Sequence, residues 1–176
     1  MENIFLHNAE REGFTWLGLG DINIGRGNLG EGMPVIVYRL MQFTMRDVLE
    51  QRYGMEAANE IFREAGYIAG RELAKNKLDL TPDFDNFIAA LQQVLSELKI
   101  GMLRLESVSE DAKEIVLTVG EDLDCSGLPI SGKVVCNYDE GFISAILEAY
   151  TGTPYTVREI DCWANGDRTC RFICNA

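Results

Sequence analysis

Apolar positions keep a helical period from about residue 34 to residue 98 and then switch to alternation, with one more helical stretch near the end. Between Pro34 and Gly54, Val37, Leu40, Met41, Met45, Val48 and Leu49 recur at helical spacing. The proline suits a first turn and the glycine suits a helix end. A second helix is predicted over 55–77, with Ala58, Ile61, Phe62, Ala65, Ile68, Ala69 and Leu73 inward. Its Gly66 and Gly70 lie one turn apart, and each costs about 1 kcal/mol relative to alanine. A close approach by another helix or by a ligand would account for them. The third helix opens at Thr81-Pro82 and carries the stripe Phe84, Phe87, Ile88, Leu91, Val94, Leu95 and Leu98.

Alternation follows over 102–108 and 113–119, joined by the polar turn Ser109-Glu110-Asp111-Ala112, which predicts a hairpin. After a loop with Cys125, Gly127 and Pro129, the run Lys133-Val134-Val135-Cys136 leads into a fourth helix. Asn137 with Glu140 three residues on resembles a capping box, and Gly152 closes that helix. Two last strands, near 155–163 and 168–174, flank Asn165-Gly166-Asp167. Ahead of all this, residues 1–33 hold seven of the 17 glycines. The short apolar pieces between them predict one or two strands with tight turns, packed onto the body. The expected class is α+β, an antiparallel sheet packed with a helical layer. One domain is expected over 1–176, with a glycine-rich start (1–33), a helical part (34–100) and a sheet with one helix (101–176).

Charge narrows the partners. Sixteen Lys and Arg against 28 Asp and Glu leave a net charge of −12 over 176 residues. Such a surface repels phosphate backbones and anionic headgroups, so nucleic acid and membrane surfaces are not expected partners. No apolar run approaches a membrane span, and Met1-Glu2-Asn3-Ile4-Phe5 is not a basic leader. A cytoplasmic protein with reduced thiols is expected.

Thiols are the unusual feature. Four of the five cysteines (Cys125, Cys136, Cys162 and Cys170) fall within 46 residues, and one histidine, His7, stands far upstream. A three-residue hairpin loop at 165–167 would set Cys162 opposite Cys170, within about 4.5–5.5 Å at Cα. Three thiolates and a carboxylate, Cys136, Glu159, Cys162 and Cys170, make a workable tetrahedral zinc set. Cys136, just before a helix, is placed where a thiolate is favoured. Glu159 and Cys162 are an odd number apart, however, so a bulge or an early strand end must bring them to one side. Spacing alone leaves three readings open: a metal ion, buried thiols beside a solvated glutamate, or a Cys162–Cys170 disulfide.

The run Cys125-Ser126-Gly127-Leu128-Pro129, then Gly132-x-x-Val135-Cys136, Glu140-Gly141-Phe142-Ile143 and Gly152, resembles the 4-vinyl reductase-type domain. The likeness continues through Val157-x-Glu159-x-x-Cys162-x-Ala164-x-Gly166-Asp167-x-x-Cys170-x-Phe172 and covers roughly residues 115–174. That family includes a bacteriochlorophyll-synthesis protein and the sensory domains of phenol- and xylene-responsive activators. Its fold is similar to TRAPP transport subunits and haem-NO-binding domains. The resemblance implies a dimer-prone domain with a hydrophobic cavity and a structural zinc ion on Cys136, Glu159, Cys162 and Cys170. Cys125 is then a possible extra ligand, and Cys174 has no assigned role.

The resemblance further implies binding of a small hydrophobic molecule (hydrocarbon, aromatic or tetrapyrrole-like), with a separate protein supplying any signalling output. Phe43, Phe62, Tyr67 and Phe84 are candidates for the cavity wall. Phenol sensors of the family hold the ligand hydroxyl with a histidine and a tryptophan. His7, Trp16 and Trp163 do not reproduce that clamp in sequence, so a different ligand is expected. Two alternatives are an enzyme or accessory acting on a tetrapyrrole vinyl group, and a purely structural dimerising module. Catalysis is the weaker reading, because no acid–base pair and no flavin or nicotinamide motif accompanies the cysteines. Gly25-x-Gly27-x-x-Gly30 imitates a dinucleotide loop, but Asp47 and Glu50 lie inside the following helix instead of ending a second strand. No DNA-binding or ATPase segment is present, so a complete transcription activator is not expected.

Overall fold

The structure, a computed structural model, describes residues 13–176. They fall into two units, divided between Glu31 and Gly32. The described part of the first carries a 3-10 turn, Trp16–Leu19, and one helical turn, α1 (Ile22–Gly25). Asp21 caps α1 by accepting from the Ile24 amide at 3.0 Å. The strands expected here do not form among the described residues. Gly20 and Gly30 close turns at positive φ (71° and 68°) and cut the apolar pieces too short to extend.

The second unit contains α2 (Val35–Tyr53), α3 (Met55–Lys77), α4 (Phe84–Glu97), β1 (Met102–Val108), β2 (Glu114–Gly120), α5 (Asn137–Thr151), β3 (Thr156–Asp161) and β4 (Cys170–Asn175). The four strands form one antiparallel sheet in the order β1-β2-β4-β3. The class is therefore α+β, as the change of period predicts. Phe87, Ile115, Leu117, Ile146, Leu147 and Phe172 are fully buried between α4, α5 and the sheet. Phe87 stacks on Tyr150 with ring centroids 4.0 Å apart.

Helix α3 turns toward α5 on its glycines. A Cβ on Gly66 would overlap the Tyr138 carbonyl, one on Gly70 the Phe142 carbonyl, and one on Gly141 the Arg63 carbonyl. The glycines thus serve a helix–helix contact, backbone against backbone. The buried line of α3 is Ala58, Phe62, Gly66, Gly70, Leu73 and Ala74, while Ile61 and Ile68 of the expected line face outward.

Helix α2 reverses its expected orientation. Its buried residues are Gln42 and Arg46, and Val37, Leu40, Met41, Met45 and Val48 are exposed. The cause lies in a polar stripe at the same period, Tyr38, Arg39, Gln42 and Arg46, which bonds to the two loops that carry cysteines.

Candidate metal centre and the cavity beside it

Each thiol of the cluster arrives on a different piece of chain. Cys125 follows β2 in a turn that Asp122 organises, its Oδ1 accepting from the amides of Asp124 and Cys125, both at 2.9 Å. Cys136 is the residue capping α5, so its sulfur lies at the positive end of that helix. Cys162 follows β3, and Cys170 opens β4.

The hairpin register supplies the parity break that the sequence requires. Glu159 pairs with Phe172 and Asp161 with Arg171, so one residue is extra on β3. Continued by one step, this register sets Cys162 across from Cys170. The turn beyond is drawn in by the Asn165 and Asp167 amides, which both donate to the Cys162 carbonyl. The Ser131 and Gly132 amides donate to the Ala164 carbonyl at 2.7 and 3.1 Å, pinning the loop ahead of Cys136 to the same hairpin.

The result is four buried sulfurs, those of Cys125, Cys136, Cys162 and Cys170, all within 4.8 Å of one another. Cys125 and Cys170 are 3.1 Å apart, Cys136 and Cys170 3.8 Å, and Cys136 and Cys162 3.9 Å. All five cysteines of the chain are free thiols, so the disulfide alternative is not what forms. The fifth, Cys174, is buried in β4 opposite Ile115 and Val157, and burial raises its pKa to about 12. Cys162 is held far below the ordinary thiol range because Cys125, Cys136 and Cys170 hydrogen-bond to it, whereas the same kind of bonding pushes Cys136 up.

Glu159 stands beside this group. Its Oε2 accepts from the Cys136 amide at 3.1 Å, and its Oε1 is buried with no hydrogen-bond partner among the described residues. Burial, and then the charge of Cys162, raises the carboxyl to about 8. Glu140 does not close a capping box. Its Oε1 accepts from the Glu159 amide at 3.0 Å and its Oε2 from Arg63, tying α5 to β3 and α3.

Two arginines of α2 hold the loops from the other side. Arg39 donates to the carbonyls of Leu123 (2.8 Å) and Ser126 (2.9 Å), bracketing Cys125. Arg46 donates to the Val135 carbonyl at 3.1 Å and to Asn137 at 3.2 Å, bracketing Cys136, and lies over the Phe62 ring. Sequence reasoning missed both residues, although their spacing with Tyr38 and Gln42 was the available signal.

Next to the cluster, Tyr38, Ile100, Leu123, Asp124, Tyr138, Asp139 and Phe142 enclose a cavity of about 140 Å³. Asp124 accepts from the Tyr38 hydroxyl at 2.7 Å and from Gln42 at 2.5 Å. Asp139 is buried and held well above the usual carboxylate range, first by desolvation and then by Asp124, Asp122 and Glu159. Burial and Asp124 raise Asp122 to about 6.

The four aromatics expected to line a cavity are dispersed over three helices. Phe62 is covered by Arg46, and Phe84 packs beside Tyr150. Phe43 is half-buried on α2. Tyr67 lines an open groove with Arg63, Ser144 and Val157 and donates to Glu148 at 2.8 Å. Of the clamp residues considered, Trp163 gives its Nε1 proton to the Leu128 carbonyl, and His7 lies outside the described residues. No helix among the described residues is long and apolar enough to cross a membrane.

Comparisons with known proteins converge on one family. The family model of the vinyl-4-reductase domain matches residues 115–176. The Methanocaldococcus jannaschii protein MJ1642 is 31% identical over 144 residues, spanning 82% of this chain and 78% of that protein. Among solved structures, the phenol-responsive sensory domain of the transcription activator PoxR, determined with phenol, superimposes with a TM-score of 0.61 at 17% identity, covering 81% of this chain and 74% of that one. A vinyl-4-reductase family protein from Methanocaldococcus jannaschii gives 0.58 at 14% identity, covering 84% and 83%. Subunit 3 of the trafficking protein particle complex from Naegleria fowleri, covalently bound to palmitic acid, gives 0.61 at 17% identity, covering 80% and 91%. At these identities the structural likenesses establish a shared fold.

Proposed function

The chain belongs to the vinyl-4-reductase domain family, and from that membership we propose that it binds a small molecule inside a domain stiffened by a structural zinc ion. The observation that carries the binding reading is the cavity between α2, α5 and the segment after β2, with Ile100, Leu123 and Phe142 as its apolar wall. Phenol in the PoxR sensory domain is the precedent for a small ligand on this fold.

The donor set fits zinc. Bonds of about 2.3 Å to four thiolates give a tetrahedron with edges of about 3.8 Å, and two sulfur pairs here stand at 3.8 and 3.9 Å. The Cys125–Cys170 pair, at 3.1 Å, needs to open by less than an ångström. In this reading Cys125 is the fourth ligand and Glu159 orients Cys136 through its amide. The unpartnered Oε1 of Glu159 supports a second reading, in which the carboxylate replaces Cys125 as ligand. Either set fills all four positions, and a closed site gives structure, not catalysis. The ion would tie the loop after β2, the start of α5 and the β3–β4 hairpin together, and so fix the side of the domain that borders the cavity.

Self-association through α2 belongs to the same proposal. The exposed stripe Leu40, Met41, Met45 and Val48 is the kind of apolar surface that a second copy covers. Native mass spectrometry of the purified protein tests these readings together. One zinc per subunit, a dimer mass and a retained small molecule are expected. A metal-free monomer that takes up no added phenol or toluene would overturn the proposal.

A further inference from the structure

We propose that the cavity beside the cysteine cluster selects a small organic ammonium ion, its nitrogen at Asp139 and Asp124 and its carbon end against Ile100, Leu123 and Phe142. This deepens the small-molecule reading and rests on it. A volume of about 140 Å³ matches a ligand of benzene size.

The walls are unlike those of a hydrocarbon site. Two buried carboxylates border the space, and Asp139, only 8% exposed, has an Oδ2 without a hydrogen-bond partner among the described residues. A buried polar atom left unbonded is costly, and a donor arriving with the ligand removes that cost. Asp124 already accepts from Tyr38 and Gln42, which leaves Asp139 as the residue with capacity.

Charge decides between a neutral donor and a cationic one. Asp122, Asp124, Asp139 and Glu159 are all buried here, beside four thiols. The two cations that α2 sends into the region, Arg39 and Arg46, direct their guanidinium protons to backbone carbonyls, to the Asn59 and Asn137 amides and toward Glu50. Zinc on four thiolates would still leave a net negative centre. The field in the cavity therefore disfavours an anion and favours a cation over a neutral molecule of equal shape. The faces of Tyr138 and Phe142, with centroids 6.3 Å apart, add aromatic surface that a cation prefers.

Isosteric pairs test this on the protein as purified, with its metal measured alongside. Benzylamine is compared with benzyl alcohol, and butylamine with butanol, by calorimetry and by chemical-shift changes at Phe142 and Leu123. At least tenfold tighter binding of the amine in one pair is expected. Asp139→Asn should erase that preference, and Ile100→Phe, which narrows the space, should weaken both members of the pair. Equal or tighter binding of the alcohols overturns the ammonium assignment while leaving small-molecule binding intact. No binding of any of the four, nor of toluene, overturns both. A tenfold preference that survives Asp139→Asn places the amine elsewhere and overturns this site. Should Asp139→Asn not fold, the isosteric pairs and Ile100→Phe still decide.

Discussion

The Glu159 carboxylate accepts the Cys136 backbone amide at 3.1 Å, joining β3 to the start of α5 across 23 residues of sequence. The same glutamate receives nothing on Oε1 and gives its own amide to Glu140. It is therefore a structural link whether or not it touches a metal. The four sulfurs meet without it, which separates two donor sets by experiment.

Cys125→Ser is expected to reduce zinc affinity at least tenfold, because serine is a poor replacement for one of four soft donors. Glu159→Gln is expected to keep one zinc per chain and to change stability by less than about 0.5 kcal/mol, the low end of a hydrogen bond's net worth. Its amide oxygen still accepts from Cys136, and the carboxyl it replaces, raised to about 8, is largely neutral at pH 7. Elemental analysis after dialysis reads both variants. Zinc retained in Cys125→Ser and lost in Glu159→Gln would establish the ligand set Cys136, Glu159, Cys162 and Cys170 instead.

Chelation should lower the melting temperature by roughly 10 °C. An ion present at about a thousandfold over its dissociation constant contributes about 4 kcal/mol to the folded state. For a chain of this size each kcal/mol moves the midpoint by about 2–4 °C. Calorimetry with and without a strong chelator, followed by zinc restoration, measures the shift. An unchanged midpoint would remove the ion from the stability of the fold.

Much of the architecture was legible because period reports on burial. The bounds of α3 and β1 and the antiparallel order follow from apolar spacing, and the glycine pair of α3 correctly announces a close approach. Helix α2 misleads for a physical reason. It carries two stripes at the same period, one apolar and one of Tyr38, Arg39, Gln42 and Arg46. Hydrophobicity alone assigns the first to the interior, while the loops around Cys125 and Cys136 need donors for Leu123, Ser126 and Val135 carbonyls that only the second supplies. The cysteine motif anticipated three of the four sulfurs. Cys125 completes the cluster through the Asp122 turn, a side-chain-to-backbone arrangement that no spacing rule encodes. The cavity was illegible in sequence because its carboxylates, Asp124 and Asp139, read as surface residues until tertiary packing buries them.

Gly141→Ala should destabilise the fold by about 3 kcal/mol or more, at the upper end of what overpacking usually costs. The added methyl meets the Arg63 carbonyl, part of a helix backbone that cannot swing aside as a side chain would. Gly127→Ala is a useful contrast. It has open space around it, but its φ of +88° penalises alanine through local strain, about 1–2 kcal/mol. Urea titrations of both variants should rank them in that order, and a neutral Gly141→Ala would mean that α3 and α5 stand further apart than described.

Leu40→Glu should convert a dimer to a monomer without unfolding it. Leu40 is 59% exposed and Met41 58%, so a charge at position 40 meets water in the isolated chain and costs little there. In a dimer built on α2 the same charge is buried against its symmetry mate, and two unpaired carboxylates at one interface oppose association strongly. The net charge of −12 sharpens the contrast, since added negative charge further favours separation. Sedimentation velocity at micromolar concentration reads the subunit number, and the far-ultraviolet spectrum confirms that the helices persist. Arg39→Leu, on the opposite stripe of α2, is the control: it should loosen the Cys125 loop and release zinc more readily while leaving the subunit number unchanged. A Leu40→Glu protein that remains dimeric would exclude the exposed stripe of α2 as the self-association surface.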